Sequence, residues 1–272
     1  MRCRALLIVA LAAGLAAGCG PGPDGPGPRV AVSTTYLEAV VHDLLGEEPV
    51  VLLSGPGTCP GHFDITPAHV ARLKRCGVLL RFDFQRHFDA KLQSAVEEGL
   101  HIVEVPESGN LCEPATYLAA CRAAGGALVA EGLAGREEMS VRLAEVEARL
   151  SVLADEVRGR VRGAGLEGRP VLAAAHQVGF CRRLGLEVAG EFCASDTPGA
   201  LNRVVAAGRA RGVGLVVGNV PQGRVVPDRL AEALGATVVM FENFPPPGAD
   251  GGAFDAVVRE NVARLLATRE AP

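Results

Sequence analysis

Short, almost wholly apolar runs recur along this chain with helix-length segments between them, and that alternation restricts the fold more than any other feature. The runs are Arg29 to Ser33, Pro49 to Leu53, Val78 to Phe82 and His101 to Val105 in the first half. Pro170 to Ala175, Leu186 to Gly190, Gly214 to Val217 and Thr237 to Phe241 follow in the second. Strands apolar on both faces belong to parallel sheets covered by helices on each side. The segments between them have helical spacing: Tyr36 to Leu45, the stretch opened by Thr66-Pro67, Val178 to Leu184, Pro198 to Arg211, Asp228 to Leu234 and Phe254 to Leu266. Thr66-Pro67 pairs a capping hydroxyl with a proline at the first helical position. From Glu131 to about Arg162 the pattern becomes one long amphipathic helix, with Met139, Leu143, Val146, Leu150, Leu153 and Val157 spaced alternately by four and three. Too few heptads are present for a coiled coil. The expectation is an α/β protein with two parallel-sheet lobes, 29–132 and 163–272, joined by a long interlobe helix over 133–162.

The N-terminus reads as a leader. Met1-Arg2-Cys3-Arg4 is followed by an apolar run from Ala5 to Ala17 and then Gly18-Cys19, a charged region, a short hydrophobic region and a small-residue cleavage site. The run is too short to span a bilayer. Leu15-Ala16-Ala17-Gly18-Cys19 resembles the bacterial lipobox, with Ala16 in place of the usual leucine. Residues 1–18 are therefore expected to be a lipoprotein signal peptide and Cys19 the lipidated residue. Gly/Pro-rich residues 19–28 form the tether. Loss of Arg2 and Arg4 leaves 25 of the 27 Lys and Arg against 31 Asp and Glu. A mildly acidic chain of this kind does not favour nucleic acid or an anionic membrane surface.

Of eight cysteines, Cys59, Cys76, Cys112, Cys121, Cys181 and Cys193 follow Cys19. In an exported chain six cysteines allow fifteen disulfide connectivities. Cys76 and Cys121 lie in helical, apolar contexts and are expected to be buried; pairing of Cys59, Cys112, Cys181 and Cys193 stays open. The chemistry concentrates at strand ends, where open parallel sheets place ligands. Cys59-Pro60-Gly61-His62-Phe63-Asp64-Ile65-Thr66-Pro67 follows the second strand, and Ala175-His176-Gln177 ends the fifth. Cys112 follows the fourth strand and Glu242 the eighth. Imidazoles from His62 and His176, the thiolate of Cys112 and the carboxylate of Glu242 would suit zinc, with Cys59 in reserve. Each has a plainer reading. The histidines can hydrogen-bond locally, Cys112 can pair or stay buried, and Glu242 can be a solvated carboxylate competing with Asn243 and Asp250. His42, His69, His87 and His101 receive no role.

Leu52 to Pro67, with its Pro-Gly-His-Phe-Asp-Ile-Thr-Pro core, resembles the first ligand loop of the solute-binding proteins of zinc and manganese ABC transporters, the TroA-like fold. Asn110-Leu111-Cys112-Glu113-Pro114, Ala175-His176-Gln177 and Phe241-Glu242-Asn243-Phe244-Pro245 follow in the family's order. The closing helix with Asn261 is similar as well. The resemblance implies a non-enzymatic, monomeric lipoprotein, anchored at the periplasmic or extracytoplasmic face. It would capture a divalent ion and deliver it to an ABC permease. Cys112 where the family has histidine favours Zn2+ or copper over Mn2+. Asn219 to Gly223 is expected to face the cleft and support the ligands. Two rivals differ in class: a metal-dependent hydrolase, for which no HExxH, GxSxG or P-loop motif is present, and a disulfide-stapled adhesin or scaffold.

Overall fold

The computed structural model describes residues 28–55, 61, 63–107, 109–249 and 251–268. The expected leader, Cys19, the tether, Cys59, His62 and Asp250 lie outside the described residues. Two four-stranded parallel sheets are present. The first contains β1 (Val30–Val32), β2 (Val50–Leu52), β3 (Val78–Phe82) and β4 (His101–Val105) in the order β2-β1-β3-β4. The second contains β5 (Pro170–Ala174), β6 (Glu187–Phe192), β7 (Leu215–Asn219) and β8 (Thr237–Phe241) in the equivalent order β6-β5-β7-β8. Val30 pairs with both Val50 and Val78, so β1 is enclosed by neighbours as well as by both faces. That double enclosure explains its unbroken apolar sequence.

Local chemistry sets the helix ends. Thr34 caps α1 (Thr35–Leu45) by accepting the Leu37 N–H, and Gly46 after it adopts φ +74°. Thr66 caps α2 (Pro67–Leu73) by accepting the His69 N–H at 3.3 Å, while His69 Nδ1 accepts the Thr66 N–H at 3.3 Å. His69 is thus a capping residue. The stretch between β3 and β4 folds as a 3-10 segment over Asp83–Lys91 and a short α3 (Gln93–Glu97). The helix expected to begin at Glu131 begins instead at Arg136. Before it, α4 (Pro114–Ala130) ends at a turn in which Gly132 takes φ +67°. α5 (Arg136–Gly163) runs for 28 residues, about 42 Å at 1.5 Å per residue. Glu137 and Glu138 sit in its first turn and Arg160 and Arg162 in its last, each sign matched to the helix dipole.

The second lobe is built on α6 (Val178–Arg183), α7 (Pro198–Ala210), α8 (Val225–Leu234) and α9 (Ala253–Ala267). A single apolar core runs from Val30 and Tyr36 through Met139, Leu150 and Val157 to Phe254 and Leu265, so α5 packs against both lobes. A buried ionic cluster crosses the same junction. Arg149 of α5 donates through Nη1 to Asp43 Oδ1 at 3.0 Å and through Nη2 to Asp43 Oδ2 at 2.5 Å. Tyr117 Oη and the Gly252 N–H also donate to Asp43, at 2.7 and 2.9 Å. Asp255 of α9 approaches Arg149 Nε at 3.3 Å. On the same face of α1, Glu38 accepts the Gly248 N–H and His42 Nδ1 lies 2.9 Å from the Ala249 carbonyl. One helix of the first lobe therefore fastens the loop that leads into α9. Among the described residues no helix is long and apolar enough to cross a membrane.

Candidate metal centre

The strand orders create a crevice at the C-terminal ends of β1 and β3 in one sheet and of β5 and β7 in the other, where the strand order reverses, the usual ligand position in open parallel sheets. Each crevice is closed by an amide. In the first lobe Ser33 Oγ donates to Gln85 Oε1 at 2.5 Å, and the Phe82 N–H donates to the same oxygen at 3.0 Å. In the second, Gln177 Nε2 donates to Asn219 Oδ1 at 3.0 Å and to Asn243 Oδ1 at 2.5 Å. Gln177 Oε1 is buried without a partner.

Two cavities open between the lobes, one on each side of the loop that follows β8. The larger, about 510 Å³, is lined by Thr34 and Ser54 from the first lobe and by Val220, Pro221 and Glu242 from the second. Of the Asn219 to Gly223 stretch expected to face the cleft, Val220 and Pro221 line this cavity. The other, about 350 Å³, is lined by Glu107 and Asn110 from one side and by His176, Glu191 and Asn243 from the other. His176 sits in a 3-10 turn, Ala175–Gln177, directly after β5, and its carbonyl accepts from Asn110 Nδ2. Its imidazole is on the exposed wall. Burial pushes the Glu107 carboxyl upward, and the His176 imidazole nearby opposes that shift.

Glu242 is held rigidly. Its Oε1 accepts the N–H groups of Asn243 and Phe244 at 2.9 and 3.1 Å, so the side chain folds over its own loop. Its main chain is bound by Asn261 of α9, which accepts the Glu242 N–H at 2.8 Å and donates to its carbonyl at 2.8 Å. Cys112 lies behind this loop. It is 1% exposed and borders neither cavity. Its Sγ is 3.2 Å from the Glu242 carbonyl and 3.0 Å from Asn243 Oδ1, with Asn261 Nδ2 at 3.7 Å. Burial raises this thiol far above its ordinary range.

Of the residues singled out in the sequence, the structure brings Glu242 and Cys112 together through the main chain and places His176 across the Asn243 loop from the Glu242 carboxylate. Among the described residues no three His, Cys, Asp or Glu side chains converge as a metal-binding group. Cys76, Cys112, Cys121, Cys181 and Cys193 are free thiols, so the disulfide pairing left open for Cys112, Cys181 and Cys193 is not what the structure contains. Cys76 and Cys121 are buried as expected. Asn219 and Asn243 were singled out in the sequence, but the hydrogen bonds that join them through Gln177 link separate stretches of the chain and have no signature in local sequence.

The family described as "Zinc-uptake complex component A periplasmic" matches residues 30–268. Among solved structures, the Mn-bound periplasmic metal binding protein of Candidatus Liberibacter asiaticus superposes with a TM-score of 0.73 at 11% identity, covering 88% of this chain and 98% of that one. A ZnuA deletion mutant with zinc bound gives 0.72 at 14%, covering 90% and 99%. TroA gives 0.70 at 19%, covering 89% and 99%. At these identities the structural likeness is one of fold. No curated protein sequence matches the chain.

Proposed function

The chain belongs to the zinc-uptake complex component A family, and from that premise we propose that it captures one divalent metal ion, zinc in preference to manganese, between its lobes and passes it to an ABC permease. It performs no chemistry on the ion. The observation that carries this reading is the opposition of the two sheets' C-terminal ends across the interlobe cavities, with His176 and Glu242 on strand ends flanking one short loop. An imidazole and a carboxylate are suitable zinc donors, and His62, which follows β2 in the sequence, would add a second imidazole. The same donors accept manganese less readily, because that ion favours carboxylate, carbonyl and water oxygens. Copper is the less favoured ion, because the soft donor that would suit it, the Cys112 thiol, is buried against the Glu242 carbonyl and Asn243 Oδ1.

In this reading the protein works outside the cytoplasmic membrane as a monomer. Cys19 carries the lipid anchor and residues 20–28 the tether, which leaves both lobes free to reach the permease. Mass measurement of the membrane-extracted protein tests the anchor. Failure of Cys19→Ala to release the chain into the soluble fraction would count against it.

Elemental analysis and chelator competition on the purified protein test the capture function. One zinc per chain is expected, with affinity lowered strongly in His62→Ala, His176→Ala and Glu242→Gln and unchanged in His87→Ala. Equal binding by all four variants would remove this site from consideration.

A further inference from the structure

The residue type of Cys112 suggests a soft metal ligand, but its two nearest polar neighbours are hydrogen-bond acceptors, with the Asn261 Nδ2 donor farther off at 3.7 Å. Two acceptors face its Sγ, the Glu242 carbonyl at 3.2 Å and Asn243 Oδ1 at 3.0 Å. The same Asn243 Oδ1 also accepts from Gln177 Nε2 at 2.5 Å. A ligating thiolate would have no proton to offer and would set its own lone pairs against both oxygens. The side chain also borders neither interlobe cavity.

Its position is informative in a second way. Cys112 opens the turn before α4, in the first lobe, where its N–H donates to Asn110 Oδ1 at 2.8 Å. Both of its acceptors belong to the loop after β8, in the second lobe. We propose that Cys112 is a positioning residue that fastens the Glu242–Asn243 loop across the lobe interface, and that it does not ligate the metal. It completes what Asn261 begins, since Asn261 binds the Glu242 peptide from within the second lobe and Cys112 binds the same carbonyl from the first. The loop is then held from both sides with the Glu242 carboxylate directed at the larger cavity.

This inference rests on the reading of Glu242 as a ligand, and the test separates the two. Zinc affinity and thermal midpoint are measured for the full protein and for Cys112→Ala, Cys112→Ser, Glu242→Gln and Cys112→Ala/Glu242→Gln, and Co2+ is added as a spectroscopic probe. Cys112→Ala is expected to weaken zinc about tenfold, the range found when a group supporting a metal ligand is removed. Cys112→Ser keeps a donor and should restore affinity to within about threefold of the original. Adding Cys112→Ala to Glu242→Gln should cost nothing further, since a residue acting through Glu242 has no effect once that carboxylate is gone. Co2+ bound to the unaltered protein should show no thiolate charge-transfer band. A thiolate band that disappears in Cys112→Ser, with Ser as damaging as Ala, would make Cys112 a ligand and overturn the proposal. So would an unchanged affinity in Cys112→Ala. Unchanged affinity in Glu242→Gln would instead overturn the ligand reading on which the proposal stands.

Discussion

The Asn261 side chain replaces a strand partner for Glu242: its Oδ1 accepts the Glu242 N–H at 2.8 Å and its Nδ2 donates to the Glu242 carbonyl at 2.8 Å. Asn261 is fully buried, so water cannot substitute for it. Asn261→Ala leaves one donor and one acceptor of the same peptide without this partner, at a cost of about 2–4 kcal/mol. Asn261→Asp keeps the acceptor but turns a carboxylate oxygen toward the Glu242 carbonyl, and should be no milder. Denaturant midpoints check both, and a midpoint unchanged in Asn261→Ala would show that the clamp contributes nothing.

Arg149 reaches both Asp43 and Asp255 in the ionic cluster that joins α1, α5 and α9. Asp43 beside it is 1% exposed, whereas Arg149 itself is one-third exposed at 33%. Arg149→Met removes the cation and leaves a buried carboxylate with the Tyr117 hydroxyl and the Gly252 N–H as remaining donors. The loss of one partner from a buried pair costs about 3–5 kcal/mol, and partial solvent access to Arg149 lowers this to about 2–4 kcal/mol. Asp43→Asn/Arg149→Met should recover part of that loss, because one of the two carboxyls that lose Arg149, Asp43 and Asp255, is then neutral. A double variant as unstable as the sum of the single ones would contradict the coupling.

The strands were legible because enclosed parallel strands must be apolar throughout, as in Val30-Ala31-Val32 and Leu215-Val216-Val217. The cap at Thr66, followed by Pro67, was equally local. The start of α5 was misplaced because Glu131 to Gly135 differs from helix mainly in two glycines, and Gly132 reveals its role only through φ +67°. α8 begins at Val225, three residues before the expected Asp228, because Pro227 lies in the first turn, where its missing N–H has no helical partner to lose. Cys112 was recognised as chemically special by its type and neighbours. Its thiol direction depends on a carbonyl and an amide 130 and 131 residues away, and no local pattern carries that.

Two carboxyls should respond to pH with opposite signs. Glu104 accepts from Arg86 at 2.7–3.0 Å and from Arg81 at 2.9 Å, and these bonds hold its pKa below the ordinary value. Its stabilising effect is complete above the unfolded carboxylate value, about 4.3, and disappears as pH falls through the lower folded value. Asp255 behaves in reverse. Burial raises its pKa despite the Arg149 charge, and its Oδ1 has no hydrogen-bond partner. Its favourable contribution is complete below the unfolded value and is lost as pH rises through the folded one. As pH rises from about 2 to 7, unfolding free energies should therefore diverge from the unaltered protein in opposite directions, downward for Glu104→Gln and upward for Asp255→Asn. Parallel curves for the two variants would refute both assignments.

Adjacent glycines in α4 should give opposite results when each is changed to alanine. Gly126 is exposed, and a Cβ there meets no atom within 4 Å. Gly126→Ala should therefore gain most of the helical preference of alanine over glycine, about 1 kcal/mol. Gly125 is buried against α5, where a Cβ would lie 2.9 Å from Met139 Sδ, 3.3 Å from Met139 Cγ and 3.6 Å from Leu143 Cδ1. Inserting a methyl into a filled contact costs about 1–3 kcal/mol, enough to cancel or exceed the same helical gain even if the flexible methionine yields. Gly126→Ala should be more stable than the unaltered protein and Gly125→Ala no more stable than it, the two variants differing by about 1–3 kcal/mol in unfolding free energy. If Gly125→Ala proved as stable as Gly126→Ala, the α4–α5 contact could not be as close as these distances require, and the packing of the linking helix on the first lobe would have to be looser than described.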